Sequence, residues 1–213
     1  MGGFFLDVTM LTRLNLTIRR GASADIPIRL ETDQLVYAPI TAIANSAPVR
    51  ITALAHGCPD GWRALVQAAV GMSEINTPWD GVQDDSFRRV TMVDVDTVEF
   101  NDVNAASLGV YTSGGHLVFR RPLDLSQFIE ARMDVKGSVS GPVLATYRHT
   151  SGGLLMDAAA ASLNLVLTPT ATLLLSAAKR YFDIELIRAD GSVLAACAAT
   201  STLTVLPEIT TSA

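Results

Sequence analysis

Charge is scarce in this chain. Asp, Glu, Lys and Arg together make up 17% of its 213 residues, against about 25% in an average soluble domain. Aromatic residues are at 6%, with two tryptophans, and there are three histidines and two cysteines. Basic residues do not dominate: the net charge is −5 and the pI about 5.1. A basic patch for nucleic acid is therefore not expected. Cys58 and Cys197 are too few for a disulfide scaffold or a multi-cysteine zinc site, although one bridge between them is conceivable. No apolar run approaches the ~20 residues of a membrane-spanning helix, so no membrane partner is expected. The start, MGGFFLDVTMLTRL, has no basic stretch ahead of a long apolar one and does not read as a signal peptide. Leu6 stands where a myristoylation context prefers Ser or Thr.

What the chain does have is Ala, Val, Leu and Thr in alternation. Hydrophobic residues reach 49% and mean hydropathy is +0.32, a composition that suits a surface hidden in an assembly. Leu14, Leu16 and Ile18 alternate with polar residues, as do Ile26, Ile28 and Leu30. The same period recurs at Ala131, Met133 and Val135, at Leu163, Leu165 and Leu167, at Phe182, Ile184 and Leu186, and at Leu203 and Val205. Strands with one buried face read this way. Several such runs bounded by turn residues predict an all-β sandwich. Asp190-Gly191 predicts a hairpin between strands 181–188 and 192–199, and a final strand at 201–206 completes an expected three-stranded meander.

The middle of the chain differs. PVRITALAHG (48–57) reads as a strand entering a turn. RRVTMV and DTVEFN read as short strands joined by VDVD, and YTSGGHLVF (111–119) as a turn entering a strand. Short strands at short spacing fit a small barrel. GWRALVQAAVG (61–71) fits a helix or a strand equally. TPTATLLLSAAK (168–179) suits a short helix or turn, and Ala158–Ala161 a helical turn or tight loop. The expected architecture is a β-sandwich, residues 1–46 plus 118–213, with an inserted small β-barrel-like module at 47–117. Such an insertion is tolerable because loop closure grows only logarithmically with length.

AHGCPDGW (55–62) places His56, Cys58 and Asp60 within five positions, as a nucleophilic or metal centre would. Its Gly57, Pro59 and Gly61 instead predict a solvent-exposed turn, which gives a thiol neither a base at about 3 Å nor an electropositive setting. The Asp94-Val95-Asp96 stretch lacks calcium-loop spacing and reads as a turn with carboxylates capping backbone amides. No catalytic, cofactor or metal site is expected. Trp62, Trp79, Asp80, Asp84 and Asp85 could form a carbohydrate-binding face, although packing suits the tryptophans better. The loops PWDGVQDD (78–85) and YTSGG (111–115), with Trp79, Asp80, Asp84, Asp85 and Tyr111, are the expected interaction loops. His116 and His149 show no partner pattern and are expected at the surface or an interface.

VRITALAHGCPDGWRALVQAAVGMSEIN (49–76) and FRRVTMVDVDTVEFNDVNAASLGVYTSGG (87–115) together resemble a small β module of bacteriophage tail and fibre proteins. That module is in turn similar to the first catalytic-cysteine half-domain of ubiquitin-activating enzymes. LNLTIRRGASADIPIRL (14–30), PLDLSQFIEARMDVKGSVSGPVLAT (122–146) and YFDIELIRADGSVLAACAATSTLTVLPEIT (181–210) resemble phage baseplate-type sandwich domains. The resemblance implies a virion structural protein of a tail, neck, baseplate or fibre attachment, made in the bacterial host cytoplasm. Its implied partners are other phage structural proteins and copies of itself. The implied mode of action is assembly and not catalysis. The alternatives are a receptor- or glycan-binding module, with a host surface glycan as ligand, and a tail-associated hydrolase.

Overall fold

The computed structural model describes residues 13–78 and 84–208. Sixteen strands lie among them. In chain order they are β1 (Asn15–Arg19), β2 (Ala24–Arg29), β3 (Glu31–Pro39), β4 (Ala42–Ala44), β5 (Val49–Thr52), β6 (Arg63–Gln67), β7 (Arg88–Met92) and β8 (Thr97–Phe100). There follow β9 (His116–Pro122), β10 (Phe128–Lys136), β11 (Val143–Arg148), β12 (Leu154–Asp157), β13 (Ser162–Leu167), β14 (Lys179–Arg188), β15 (Val193–Ala195) and β16 (Ser201–Leu206). The single α-helix among the described residues, α1 (Pro169–Leu173), is one short turn with the Thr168 hydroxyl capping Ala171 N–H.

The chain forms two compact units. Unit 1 is Met1–Leu30 with Leu123–Ala213, and unit 2 is Glu31–Pro122. The junctions expected at 46/47 and 117/118 thus fall at 30/31 and 122/123. The reason is pairing: β3 lies antiparallel to β9, with Glu31 opposite Pro122 and Pro39 opposite His116. Both strands belong to the inserted unit.

Unit 1 is a sandwich of a six-stranded sheet, β1-β16-β14-β10-β11 with β15 also on β14, and a three-stranded sheet, β12-β13-β2. The alternation of the sequence is its construction rule. Ile18, Ile28, Ala131, Met133, Val135, Leu163, Leu165, Leu167, Phe182, Ile184, Leu186, Leu203 and Val205 all point into one core. A register slip between Phe128 and Glu130 turns Phe128 inward on the same strand as Ala131. On the outward face of β10 and β14, Arg132 pairs with Glu185 and Asp134, and Lys136 with Asp183. The expected closing meander is a different object. β10 occupies one edge of β14 along most of its length, so β15 and β16 share the other edge. Residues 196–200 break the returning arm between them, and the expected strand 192–199 shortens to β15.

Unit 2 is one seven-stranded sheet ordered β3-β9-β6-β7-β8-β5-β4. Its two terminal strands, β3 and β4, are separated in sequence only by residues 40 and 41. A sheet whose ends are tied so closely must curl into a barrel-like form. Ile51, Trp62, Val66, Val90, Val98, Phe100, Leu117 and Phe119 are all buried in this unit. Leu65, Phe87 and Val118 form a second, smaller cluster. β6 is therefore buried on both faces, which explains why 61–71 carried no clean period.

Candidate functional site

The 53–62 turn is built by the backbone. Ala55, Gly57 and Gly61 adopt positive φ, and two ties fix the loop. Ala55 N–H donates to Asp96 Oδ1 (2.7 Å), and Ala53 N–H to Asp96 O (2.8 Å). Asp60 Oδ1 accepts from Met92 N–H at 2.9 Å. The loop is thereby laced to the β7–β8 turn, where Asp94 Oδ1 accepts from Asp96 N–H. These carboxylates cap backbone amides, in line with the turn reading of 94–96.

The expectation of a solvent-exposed turn is corrected by burial: His56 is 5% exposed and Cys58 1%. Only Asp60 of the three faces solvent. His56 Nδ1 accepts the Cys58 N–H at 2.9 Å, so its lone pair is engaged by backbone and does not serve the thiol. His56 Nε2 is buried with no hydrogen-bond partner. Burial, helped by the charge of Glu31, pushes the Cys58 thiol up to about 12. Sγ donates to Pro59 O at 3.9 Å. The thiol is neutral at physiological pH, and a neutral thiol is a poor nucleophile. Cys197 is also free and buried, and burial raises its thiol as well.

The residues that looked like a sugar-binding face separate. Trp62 is wholly buried and its Nε1–H donates to Arg120 O at 2.9 Å, which makes it a core residue. Trp79 and Asp80 lie outside the described residues. Asp84 opens the 3-10 turn Asp84–Ser86, and Asp85 in that turn is exposed. Tyr111 is half-buried, with its hydroxyl 3.0 Å from Ile40 O and 2.9 Å from Gly114 O. It pins its own loop to the chain beyond β3. His116 stands edge-on to Tyr37 at 6.1 Å between ring centres. His149 Nδ1 accepts from Met156 N–H within unit 1.

Several polar residues not singled out by sequence reasoning hold unit 2 together. Asn76 acts as a substitute strand: Ala69 N–H donates to its Oδ1 (2.8 Å), and its Nδ2 donates to Ala69 O (2.9 Å). Glu74 Oε1 accepts from Gly109 N–H at 3.2 Å. Asn45 Nδ2 faces the carbonyls of Ala105, Leu108 and Gly109 at 3.0–3.2 Å. Gly71 and Gly109 meet backbone to backbone. A Cβ on Gly71 would stand 2.1 Å from Val110 O, and one on Gly109 2.3 Å from Gly71 O. Glu31 receives Arg63 through two bonds, 3.1 and 2.7 Å. Glu74 and Asn76 both lie in GMSEIN, the end of the 49–76 stretch, and their polar side chains serve the backbone.

Among the described residues no group of three or more His, Cys, Asp or Glu side chains could hold a metal ion. Exposed apolar side chains, by contrast, gather where the two laced turns meet. Leu54 is 64% exposed, Val95 66%, and Met92 and Val93 are also exposed. The chain matches no protein-family model and no curated protein.

Proposed function

We propose that this protein is a structural component of a phage particle that acts by protein–protein assembly with copies of itself and with other virion proteins. One observation carries the reading. The polar side chains of the loop motifs, His56, Glu74, Asn76, Asp96 and Tyr111, are spent on the protein's own backbone. Four apolar side chains, Leu54, Met92, Val93 and Val95, face outward at the laced turns, beside the exposed Asp60 and Asp94. Clustered exposed apolar residues suit a contact surface better than a reaction centre. The resemblance of 49–76 and 87–115 to a phage tail and fibre module supports the particle assignment. The low charge supports a chain that buries surface on assembly.

Imaging intact particles with this chain tagged tests the assignment, with density or label at tail, neck, baseplate or fibre expected. Absence of the tag from purified particles overturns it. The triple substitution Leu54→Ser, Val93→Ser, Val95→Ser is expected to leave the fold intact and to reduce incorporation into particles. Undiminished incorporation would move the contact surface elsewhere. A screen of polysaccharide and peptidoglycan substrates that showed turnover would favour the hydrolase alternative.

A further inference from the structure

Three stretches of unit 1 meet around a cleft. They are the turn after β1 (residues 20–23), α1 with the segment that follows it (169–178), and the end of β16 with Pro207 and Glu208. Backbone bonds hold them together. Arg20 N–H donates to Leu206 O and Val205 N–H to Ala178 O, both at 3.0 Å. The wholly buried Thr172 sets its hydroxyl 2.9 Å from Ala22 O, and Arg20 Nε–H donates to Leu173 O at 3.3 Å. The cleft between them has a volume of about 390 Å³, and its lining includes Arg20, Leu173, Leu174, Ala177, Pro207 and Glu208.

The sequence accounts for the apolar wall. In TLLLSAA (172–178), Thr172 and Leu175 are three apart, share one side of the helical turn and take the buried positions. Leu173 and Leu174 are left outside, 41% and 83% exposed. Charge is the second feature. Arg20 engages its Nε–H, but its two Nη groups meet no acceptor among the described residues. Glu208 lies over Gly21, where a Cβ would stand 2.8 Å from the carboxyl carbon. It makes no hydrogen bond or ion pair among the described residues. A cation and an anion thus line one cleft without pairing with each other.

Each wall asks for a different group on the occupant. The guanidinium of Arg20 suits a carboxylate, which two of its N–H groups can hold at once. Glu208 suits an N–H donor, and Leu173, Leu174 and Pro207 suit an aliphatic side chain. One amino-acid residue with a free α-carboxylate carries all three. The cleft is also shallow: apart from the half-buried Arg20, every residue lining it is exposed. Sites for free small molecules enclose most of the ligand, so this one suits an occupant anchored elsewhere. We propose that the cleft takes the aliphatic C-terminal residue of a partner chain. Its carboxylate sits on Arg20, its backbone N–H turns toward Glu208, and its side chain packs on Leu173, Leu174 and Pro207. The proposal rests on the assembly reading only in taking a protein chain as partner.

Titration of the full, nitrogen-15-labelled chain, followed by amide NMR shifts, tests this. The probes are N-acetyl-glycyl-glycyl-leucine as the free acid, the same peptide as its C-terminal amide, and free leucine. The acid is expected to give saturable shifts at Gly21, Leu174 and Ala177, and the peptide amide to bind about tenfold more weakly or worse. Free leucine is expected to bind more weakly than the acid. Arg20→Gln should match the loss seen with the peptide amide, and Leu174→Ser, at an exposed position, should weaken the acid severalfold with the rest of the spectrum unchanged. The peptide-amide comparison needs no variant and so stands even if Arg20→Gln disturbs the turn. Equal binding of acid and amide overturns the proposal, as does full binding by a folded Arg20→Gln chain. Free leucine binding as tightly as the peptide overturns the chain-end assignment. No saturable shift at about 10 mM peptide overturns the cleft as a site. It leaves the assembly reading standing, because that reading rests on the laced turns of unit 2 and is decided by the tagged particle.

Discussion

The two units are both β-sheet, yet they are held differently. Unit 1 is organised by alternation: one row of side chains from each strand enters a single core, and the opposite row of β10 and β14 is a ladder of ion pairs. Unit 2 is closed by loops. Asn45, Glu74, Asp96 and Tyr111 bond to backbone groups far along the chain, Asn76 closes a nearer loop on Ala69, and two glycines touch at backbone distance. A sandwich of this kind tolerates change in its loops but not in its strands. The curled sheet depends on its loops as well.

Substitutions should separate these two modes of construction. The largest effect is expected inside the sandwich: Phe182→Ala removes a fully buried ring and should cost about 4 kcal/mol, read by denaturant unfolding followed by circular dichroism. Next comes Gly71→Ala. Its Cβ would collide with Val110 O and would sit at a φ of +91°, so about 3 kcal/mol is expected. Both tryptophans lie in the sequence of unit 2, and fluorescence should report this loss while remaining insensitive to Phe182→Ala. If the two probes moved together for both variants, the units would unfold as one and the contrast would fail.

Asn76→Ala leaves Ala69 N–H and C=O without their partner, and about 2 kcal/mol is expected. Glu130 offers a smaller, pH-dependent test in unit 1. Burial raises its carboxyl, but the hydroxyl and N–H of Thr150 and the N–H groups of Ala131 and His149 outweigh it and hold the group below its ordinary value. A depressed carboxyl contributes stability above its unfolded value, near 4.3. That contribution is lost as pH falls through the folded value. Glu130→Gln should therefore lower stability by roughly 1 kcal/mol at pH 7, and the gap to wild type should narrow under acid. A gap that is constant with pH would contradict this. The smallest effect is chemical: Cys58 in the folded protein should resist alkylation at pH 8 and react on unfolding, as mass spectrometry would show.

The same contrast explains what could be read in advance. The strands of unit 1 were legible because a half-buried strand writes its orientation as a period of two. Leu163, Leu165 and Leu167 point inward as that period requires. β6 was not legible, because Ala64, Leu65, Val66 and Gln67 are all buried and leave no polar phase. β3 was assigned to the wrong unit because ETDQLVYAP names no partner, and only its pairing with β9 places it. In the 55–62 turn, Gly and Pro correctly marked a reversal. The burial of His56 and Cys58 depends on the β7–β8 turn laid across it by Asp60 and Asp96, contacts more than thirty residues distant.

The junction between the units has a consequence for how such chains can be rebuilt. Unit 1 releases the chain at Leu30 and recovers it at Leu123, and Leu123 N–H donates to Leu30 O at 2.9 Å. The departing and returning strands are neighbours, so the sandwich presents a socket with both terminals side by side. Whatever is plugged in needs only a pair of adjacent antiparallel ends. A short hairpin would seal the socket, and a foreign domain with close termini would fill it. Unit 2 is in this sense a cassette.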